Sequence, residues 1–260
     1  MKRNKTDAAD AEAICEAVTR PTMRFVPIKS VDQQAHGMVL KTRNLLMRQR
    51  SQTANALRAH LAELGIIAAA GMASVSKLIE RLRSMEDINL PDAARLALNE
   101  LAEQIEALTK RVERLDREIL KTVKKDPEAK RLTTIPGVRP LIAATVKAVV
   151  PDIGVFRSGR DFAAWVGLTP RSNSSGGKER LGSISKRGNS LLRSLLIVGA
   201  TSIIKLARRG LKMPRWIESL MLRRPIKVIS VALANKIARS IWAVLTKEES
   251  YRPAVGMTRA

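Results

Sequence analysis

Apolar residues recur at helical spacing along most of this chain. The clearest pattern follows Pro91, where apolar positions alternate at intervals of three and four residues: Leu98, Leu101, Ile105, Leu108, Val112, Leu115 and Ile119. Charged residues lie between them, which is typical of the seam of a coiled coil of about three heptads. The pattern predicts a long helix that pairs with a helix over residues 31–64 as an antiparallel hairpin, or with a second chain. A single amphipathic helix on a local core is the remaining alternative.

Other apolar patterns predict further helices, and the predicted fold class is therefore mainly α. Thr6 is placed to cap a first helix that runs toward Val18, and Ser30 or Asp32 is placed to cap the second. Residues 25–28 contain a proline and predict an extended link between these two helices. Further helical patterns occur at residues 128–134, 140–149 and 228–245.

The charged stretch Lys124–Glu128 contains a proline and predicts a linker. We therefore divide the chain into an N-terminal segment over residues 1–29, a helical arm over residues 30–125 and a compact basic domain over residues 126–260. The arm carries the apolar seam. The basic domain carries most of the residues whose chemistry is informative.

An apolar-Pro-Gly-apolar turn lies between two helical patterns of the basic domain, with Pro136 and Gly137 at its centre. Such a turn is typical of a helix-hairpin-helix motif, in which backbone N–H groups bind a DNA phosphate. An ordinary turn between two helices fits the same four residues.

A polar segment over residues 169–189 interrupts the apolar patterns of the basic domain. Its central serine, Ser175, precedes Gly176 and Gly177, and a phosphate can approach a serine closely where glycines leave the backbone open. Nearby cations can stabilise the charge that develops when a phosphodiester is attacked: Arg171, Lys178, Arg180, Lys186 and Arg187. A phosphate-binding loop without a covalent role is the alternative. The rival nucleophiles are Ser172, Ser174, Ser183 and Ser185.

The charge balance indicates that this helical protein has a polyanionic partner. The chain has 47 Lys and Arg against 24 Asp and Glu in 260 residues, a formal net charge of +23. Such a surface favours nucleic acid, because neutralising phosphates releases counterions. A ribosomal-type or merely soluble basic protein is the alternative. Aromatic residues make up only 3%, which argues against single-strand binding by base stacking.

Membrane, secretory and disulfide classes are disfavoured. No apolar run reaches the ~18 residues that a membrane span needs. Cys15 is the single cysteine, which excludes an internal disulfide, and its apolar neighbours at helical spacing predict a buried thiol. We expect a cytoplasmic protein.

Asp7 and Asp10 form the one candidate metal pair. Residues three apart share a face of a helix, so the two carboxylates can converge on a divalent cation. Mg²⁺ prefers oxygen ligands and is our candidate cofactor. Two carboxylates are too few for a two-metal phosphoryl-transfer site. Capping and compensation of the helix dipole are the alternative roles.

The order of several motifs resembles the DEDD-type insertion-sequence transposases, the group that includes pilin-gene invertases and bridge-RNA-guided recombinases. The resemblance runs from about Lys2 to Tyr251. It is carried by the stretch around Asp7 and Asp10 and by segments of the basic domain, namely residues 135–138, 156–161, 164–170, 174–178 and 184–189.

This resemblance implies a fold and a mechanism. In the family an RNase H-like domain with four acidic metal ligands is joined by a helical arm to a domain with a nucleophilic serine. It assigns the third and fourth acids to Asp7 and Asp10, and the serine to Ser175. DNA strand cleavage and exchange through a serine-linked phosphodiester, with Mg²⁺ assistance, are then expected. Some members of the family use a guide RNA.

The first two acids of that family lie on strands upstream of the helix that carries Asp7. We therefore expect an N-terminally truncated transposase whose residues 1–29 are a remnant of the RNase H-like domain, and we expect impaired cleavage by this chain alone. Homo-oligomerisation through the arm is expected. A non-catalytic nucleic-acid-binding protein, or an inhibitor of full-length transposase, is the alternative function.

Overall fold

The computed structural model describes residues 6–23, 25, 27–84, 90–173 and 180–252. Within these ranges the chain is mainly helical, as predicted, with ten α-helices, one 3₁₀ turn (Ile153–Val155) and one two-stranded sheet. The helices are α1 (Asp7–Thr19), α2 (Val31–Glu63), α3 (Met72–Ser84), α4 (Asp92–Lys125), α5 (Pro127–Leu132), α6 (Pro140–Val149), α7 (Gly159–Val166), α8 (Ser190–Ala207), α9 (Arg215–Arg223) and α10 (Ile226–Lys247). The strands are β1 (Pro170–Ser172) and β2 (Leu181–Ile184).

Helix α1 begins at the predicted cap, and its side chains are mostly exposed. The Thr6 hydroxyl accepts a hydrogen bond from the backbone N–H of Ala9 at 3.2 Å. None of the residues of α1 is buried within the part of the chain that the structure describes, and Cys15 is exposed. The prediction of a buried thiol is therefore wrong. The apolar face of Ile14 and Val18 exists, but no described element covers it.

Helices α2 and α4 form an antiparallel pair within one chain. Near the end of α2, Leu57 and Leu61 share a core with Leu98 at the start of α4, whereas Leu40 near the start of α2 packs with Ile119 near the end of α4. The intrachain alternative for the apolar seam is thus the one that the structure contains. Coiled-coil geometry stays a prediction. Helix α3 covers the tip of the arm with four buried side chains: Val75, Leu78, Ile79 and Leu82.

The start of α2 is fixed by a capping box and by hydrogen bonds to the end of α6. Ser30 and Gln33 form a reciprocal capping box with two hydrogen bonds of 3.1 Å. The Gln33 side-chain amide also donates to carbonyl oxygens at the end of α6, those of Lys147, Val150 and Pro151, each at 3.3 Å. One residue therefore ties the arm to the second half of the chain.

A larger core joins α5, α6, α7, α8 and α10. Helices α8 and α10 are long and apolar enough to cross a membrane by length and composition alone, but here they pack against each other in this core. The hydroxyls of Thr201, late in α8, and Ser230, early in α10, are 3.0 Å apart. Arg193, early in α8, and Asn235, in the middle of α10, both donate to carbonyl oxygens at or just after the end of α7, those of Val166 and Leu168. Helix α10 therefore runs antiparallel to α8, with its first turns beside the last turns of α8.

The polar segment over residues 169–189 contains a β-hairpin that the sequence did not predict. Strands β1 and β2 are antiparallel, with Pro170 opposite Ile184 and Ser172 opposite Leu181, and the register shifts between these two pairs. Seven residues of this polar segment are therefore strand residues. The strands are too short and too polar to show the alternating pattern on which a strand prediction depends.

Candidate functional site

The β1–β2 hairpin holds the segment that carries the candidate nucleophile. The backbone N–H of Asn173 donates to the Arg180 carbonyl oxygen at 2.8 Å, and that of Ser185 donates to Thr169 at 2.8 Å. The first bond lies where the connection between the strands begins and ends, and the second lies at the opposite end of the hairpin. Ser175, Gly176, Gly177 and Lys178, together with the rival Ser174, lie in residues 174–179, outside the described residues.

Three rival serines are within the described residues. Ser172 and Ser183 are exposed on the strands, and Ser185 is partly buried where β2 ends. The Ser185 hydroxyl oxygen is buried, and no hydrogen-bond partner for it exists among the residues that the structure describes. Its backbone carbonyl accepts a hydrogen bond from the Arg171 guanidinium at 2.9 Å. The predicted cation Arg171 thus helps to hold the base of the hairpin.

A short loop that follows β2 is locked against the end of α7. Gly167 and Gly188 both have positive φ, +84° and +82°, and a Cβ atom on either would clash with a backbone carbonyl oxygen, that of Arg187 or Trp165 respectively. The Arg193 guanidinium donates to the carbonyl oxygens of Val166 and Arg187 at 3.0 and 2.9 Å. The backbone of this loop is therefore held by direct contacts between main chains.

The side chains of this loop remain available to a ligand. Lys186 and Arg187 are exposed, and Lys186 has a positive φ of 56°, a conformation that few residues other than glycine adopt. Asn189 then caps α8 by accepting a hydrogen bond from the Leu192 N–H at 2.9 Å. The structure thus places Arg171, Arg180, Lys186 and Arg187 around one hairpin, as the sequence predicted only from their proximity along the chain.

A basic groove of about 640 Å³ lies next to this loop, between the first half of α2 and the start of α8. Its cations are Lys29, Lys41 and Arg48, and its polar lining includes Gln34, Asn44 and Asn189. Among the described residues, no carboxylate lines it. We call it the arm groove. Its residues were missed as a site, although Lys41 and Arg48 are seven residues apart, which puts them on one helix face.

The Pro136-Gly137 turn is packed rather than open on its glycine side. The Val138 N–H donates to the Ile135 carbonyl at 3.0 Å, and Gly137 has a φ of +84°. A Cβ atom on Gly137 would lie 2.7 Å from Cδ1 of Ile203, and one on Gly199 would clash with the Gly137 carbonyl oxygen. Pro136 is exposed. The glycine has a packing role against α8, and the helix-hairpin-helix motif stays a prediction.

Asp7 and Asp10 are exposed in the first turn of α1. Their oxygens suit Mg²⁺ chemically, but the described residues contain no group of three or more metal-binding side chains placed to hold an ion. The residues present therefore do not make a complete magnesium site. Helix α1 shares no buried cluster with the hairpin among the residues described.

Comparison with known proteins decides the family. A profile of the transposase family IS116/IS110/IS902 matches residues 129–213, a range that includes the Pro136-Gly137 turn, the hairpin and α8. The Sinorhizobium fredii transposase y4pF/y4sB is 45% identical over 100% of this chain and 67% of its own length. The chain belongs to the IS116/IS110/IS902 transposase family. The transposase for insertion sequence element IS1111A of Coxiella burnetii is 38% identical over 97% of this chain and 70% of its own length. The transposase for element IS1328 of Yersinia enterocolitica is 37% identical over 95% and 73%.

Membership of the IS116/IS110/IS902 family makes this chain a transposase of the insertion-sequence type, and the predicted resemblance is confirmed at that level. It also makes DNA the substrate, in agreement with the net charge of +23. The matched range contains the hairpin and the loop after it, while the arm groove lies only partly within it.

Proposed function

We propose that this transposase cleaves and exchanges DNA strands with Ser175 as the nucleophile. The Ser175 oxygen attacks a backbone phosphorus and loses its proton, while the departing deoxyribose oxygen gains one. A serine–phosphate bond replaces the sugar–phosphate bond. A hydroxyl of a second strand then attacks the same phosphorus, which releases the serine and joins the new strand. The observation that supports this proposal is the hairpin, whose base is fixed and surrounded by exposed cations.

The cations around the hairpin have two roles in this proposal. Arg180, Lys186 and Arg187, together with Lys178, hold the phosphate and stabilise the charge that it gains during attack. Arg171 and Arg193 act at the backbone, because both bond carbonyl oxygens of the loop that carries Lys186. A loop held in this way loses little conformational freedom when it binds a phosphate, so its cations are already in position when the phosphate is attacked.

We further propose that the arm groove binds the backbone of the nucleic acid beside the hairpin. Its three cations and several amides suit phosphate oxygens, and no described carboxylate opposes them. From the family resemblance we propose a guide RNA as the second occupant, and the Pro136-Gly137 turn as a further phosphate contact. Homo-oligomerisation through the arm and a cytoplasmic location complete the proposal.

We assign Asp7 and Asp10 as two of the ligands of a Mg²⁺ ion. When bound, the ion would supply charge stabilisation to the phosphate under attack. The remaining ligands are not among the described residues, and the roles of the serine and the cations above are independent of it.

The decisive experiment compares Ser175→Ala with Ser183→Ala. Both serines lie in the polar segment over residues 169–189, and Ser183 is exposed on β2, so the second variant controls for general effects on the strands. Each variant is incubated with Mg²⁺ and plasmid DNA that carries the insertion element's ends. Covalent protein–DNA adducts are then counted on a denaturing gel. Because cleavage by this chain alone is expected to be impaired, we expect few adducts with the parent and with Ser183→Ala, and none with Ser175→Ala.

A second experiment tests the same serine in a longer chain. The same substitutions are made in a hybrid that also carries the part of the Sinorhizobium fredii relative that this chain does not match. Adducts that persist in Ser175→Ala would remove the serine from the chemistry. DNA binding with no adduct in any parent chain or hybrid would favour the non-catalytic alternative.

A further inference from the structure

A second concentration of positive charge lies between residues 205 and 227. Eight Lys and Arg residues occur there against one acid, Glu218. The cations are exposed, and they include Arg208, Arg209, Lys212 and Arg215 in and around the turn between α8 and α9. We call the exposed cations of residues 205–227 the distal basic surface. Neither the hairpin nor the arm groove includes any of them.

The distal basic surface lies at the opposite end of α8 from the hairpin. Helix α8 starts directly after the loop that carries Lys186 and spans 18 residues, which corresponds to about 27 Å. Its last turns are followed by the cations at 208–215. Because α10 runs antiparallel to α8, Lys227 in its first turn belongs to the same end of the domain.

Local stabilisation does not account for this charge. Cations near the C-terminus of a helix interact favourably with the helix dipole, but the effect is confined to the last turn. That explains Lys205 and Arg208 and leaves most of the others. No ion pair connects the cations of 205–227 to a carboxylate anywhere in the described ranges. Cations that repel one another destabilise a fold, and binding of a polyanion removes that repulsion.

We infer that the distal basic surface binds the phosphodiester backbone of a double helix whose reacting phosphate lies at the β1–β2 hairpin. Five of its eight cations are arginines, whose planar donors match phosphate oxygens better than lysine does. A duplex carries two charges per base pair at about 3.4 Å. The length of α8 therefore corresponds to about eight base pairs between the two contacts. The inference deepens the proposed function, because it assigns the flank of the DNA substrate to a surface.

Duplex DNA and helical RNA both present a phosphodiester backbone, and the experiment below tests each of them. Exposed apolar side chains, among them Leu206, Leu211 and Leu222, occur in the same region. They would suit an anionic lipid surface instead. Because this chain is a DNA transposase by family, the phosphodiester backbone is the partner for which we argue, and lipid binding is an outcome that contradicts us.

The experiment compares two variants. One loses three positive charges from the distal basic surface, and the other loses three from the helical arm. The test variant is Arg208→Gln/Arg209→Gln/Lys212→Gln, all exposed. The control is Lys77→Gln/Arg81→Gln/Arg111→Gln, which removes the same charge from exposed faces of α3 and α4. Binding to a 24-base-pair DNA of unrelated sequence, to an 8-base-pair DNA and to an RNA hairpin is measured over a range of salt concentrations.

We expect the slope of log K against log salt on the long duplex to fall in magnitude by about 2.7 in the test variant. The control should keep the parent's slope, and the fall should be smaller on the 8-base-pair DNA, which is too short to occupy both contacts fully. A larger loss on RNA than on DNA would assign the surface to RNA and overturn the inference that it binds the flank of the DNA substrate. Unchanged slopes, or equal losses in the test and control variants, would overturn it.

Two further measurements separate the inference from its rivals. Vesicles that contain phosphatidylserine are sedimented with the parent and the test variant, and vesicle binding that only the parent shows, with equal DNA binding, would contradict the inference. Ser175→Ala should bind all three nucleic acids as the parent does. Failure of the serine proposal would therefore appear in the adduct assay and leave the binding result unaltered.

Discussion

The carbonyl oxygen of Arg187 occupies the position that a Cβ atom on Gly167 would need. The two residues belong to different structures, the end of α7 and the loop after β2, and this close approach fixes one against the other. Gly188 makes the reciprocal approach to Trp165. Backbone contact of this kind defines where Lys186 and Arg187 present their charges, because no side chain separates the two segments.

We predict that Gly167→Ala lowers the free energy of unfolding by about 2–4 kcal/mol, since it combines a left-handed conformation with a backbone clash. Gly210→Ala is the matched control. Gly210 also has a positive φ, +103°, but nothing lies within 4 Å of its Cβ position, so about 1 kcal/mol is expected. Urea unfolding followed by circular dichroism measures both. Equal losses would mean that the contact with Arg187 contributes nothing.

How much the sequence could predict differs between the arm and the hairpin. The apolar pattern of α4 predicts its buried face, because burial in a two-helix pair repeats along the helix: Leu98, Ile105, Leu108, Val112 and Ile119 are all buried. Helix α2 has no such regularity. Met38 and Leu45 belong to its apolar pattern, yet they are 64% and 46% exposed, because they border the arm groove rather than α4.

The site was predictable in composition and not in geometry. The cations and the serine of residues 169–189 stand out as a polar segment, but the hairpin that positions them depends on tertiary contacts. Gly167 and Gly188 are far apart in sequence from the atoms that require them to be glycines. The arm groove joins Lys41 to Asn189, which only the packing of α2 near α8 brings together. Long-range contacts of this kind leave no local pattern.

A second glycine pair tests the role of the Pro136-Gly137 turn. We predict that Gly199→Ala destabilises the protein by about 2 kcal/mol, because the new methyl group would meet the Gly137 carbonyl oxygen. In the interior of an uncrowded helix the same change is favourable. Gly37→Ala in α2, with nothing within 4 Å, should therefore raise the free energy of unfolding by about 0.5–1 kcal/mol. A stabilising Gly199→Ala would show that the turn does not pack on α8 in solution.

The tip of the arm should show a measurable ion pair. Arg83 on α3 hydrogen-bonds Glu106 on α4, and this bond, with the attraction between the charges, lowers the pKa of the Glu106 carboxyl. A lowered pKa means that the pair stabilises the fold at pH above the unfolded pKa of about 4.3, and that this stabilisation is lost as pH falls through the lower folded value.

We predict that Arg83→Gln raises the pKa of Glu106 in an NMR titration of the side-chain carboxyl. Glu118 serves as the internal control. Its pKa is lowered by a different partner, Lys121, on the same helix. The pKa of Glu118 should therefore stay where it is in the variant. Shifts of equal size at both carboxyls would indicate a general effect of net charge instead of a specific pair.

The arm groove gives the last prediction. Lys41→Gln/Arg48→Gln should reduce the magnitude of the salt slope for duplex binding by about 1.8, because two phosphate contacts are lost. Lys77→Gln/Arg81→Gln, which removes the same charge from the exposed face of α3, should leave the slope unchanged. Both pairs lie on the arm, so a difference between them cannot come from net charge. It requires a nucleic acid that follows the groove between α2 and α8. Equal slopes in the two variants would remove the arm groove from DNA binding.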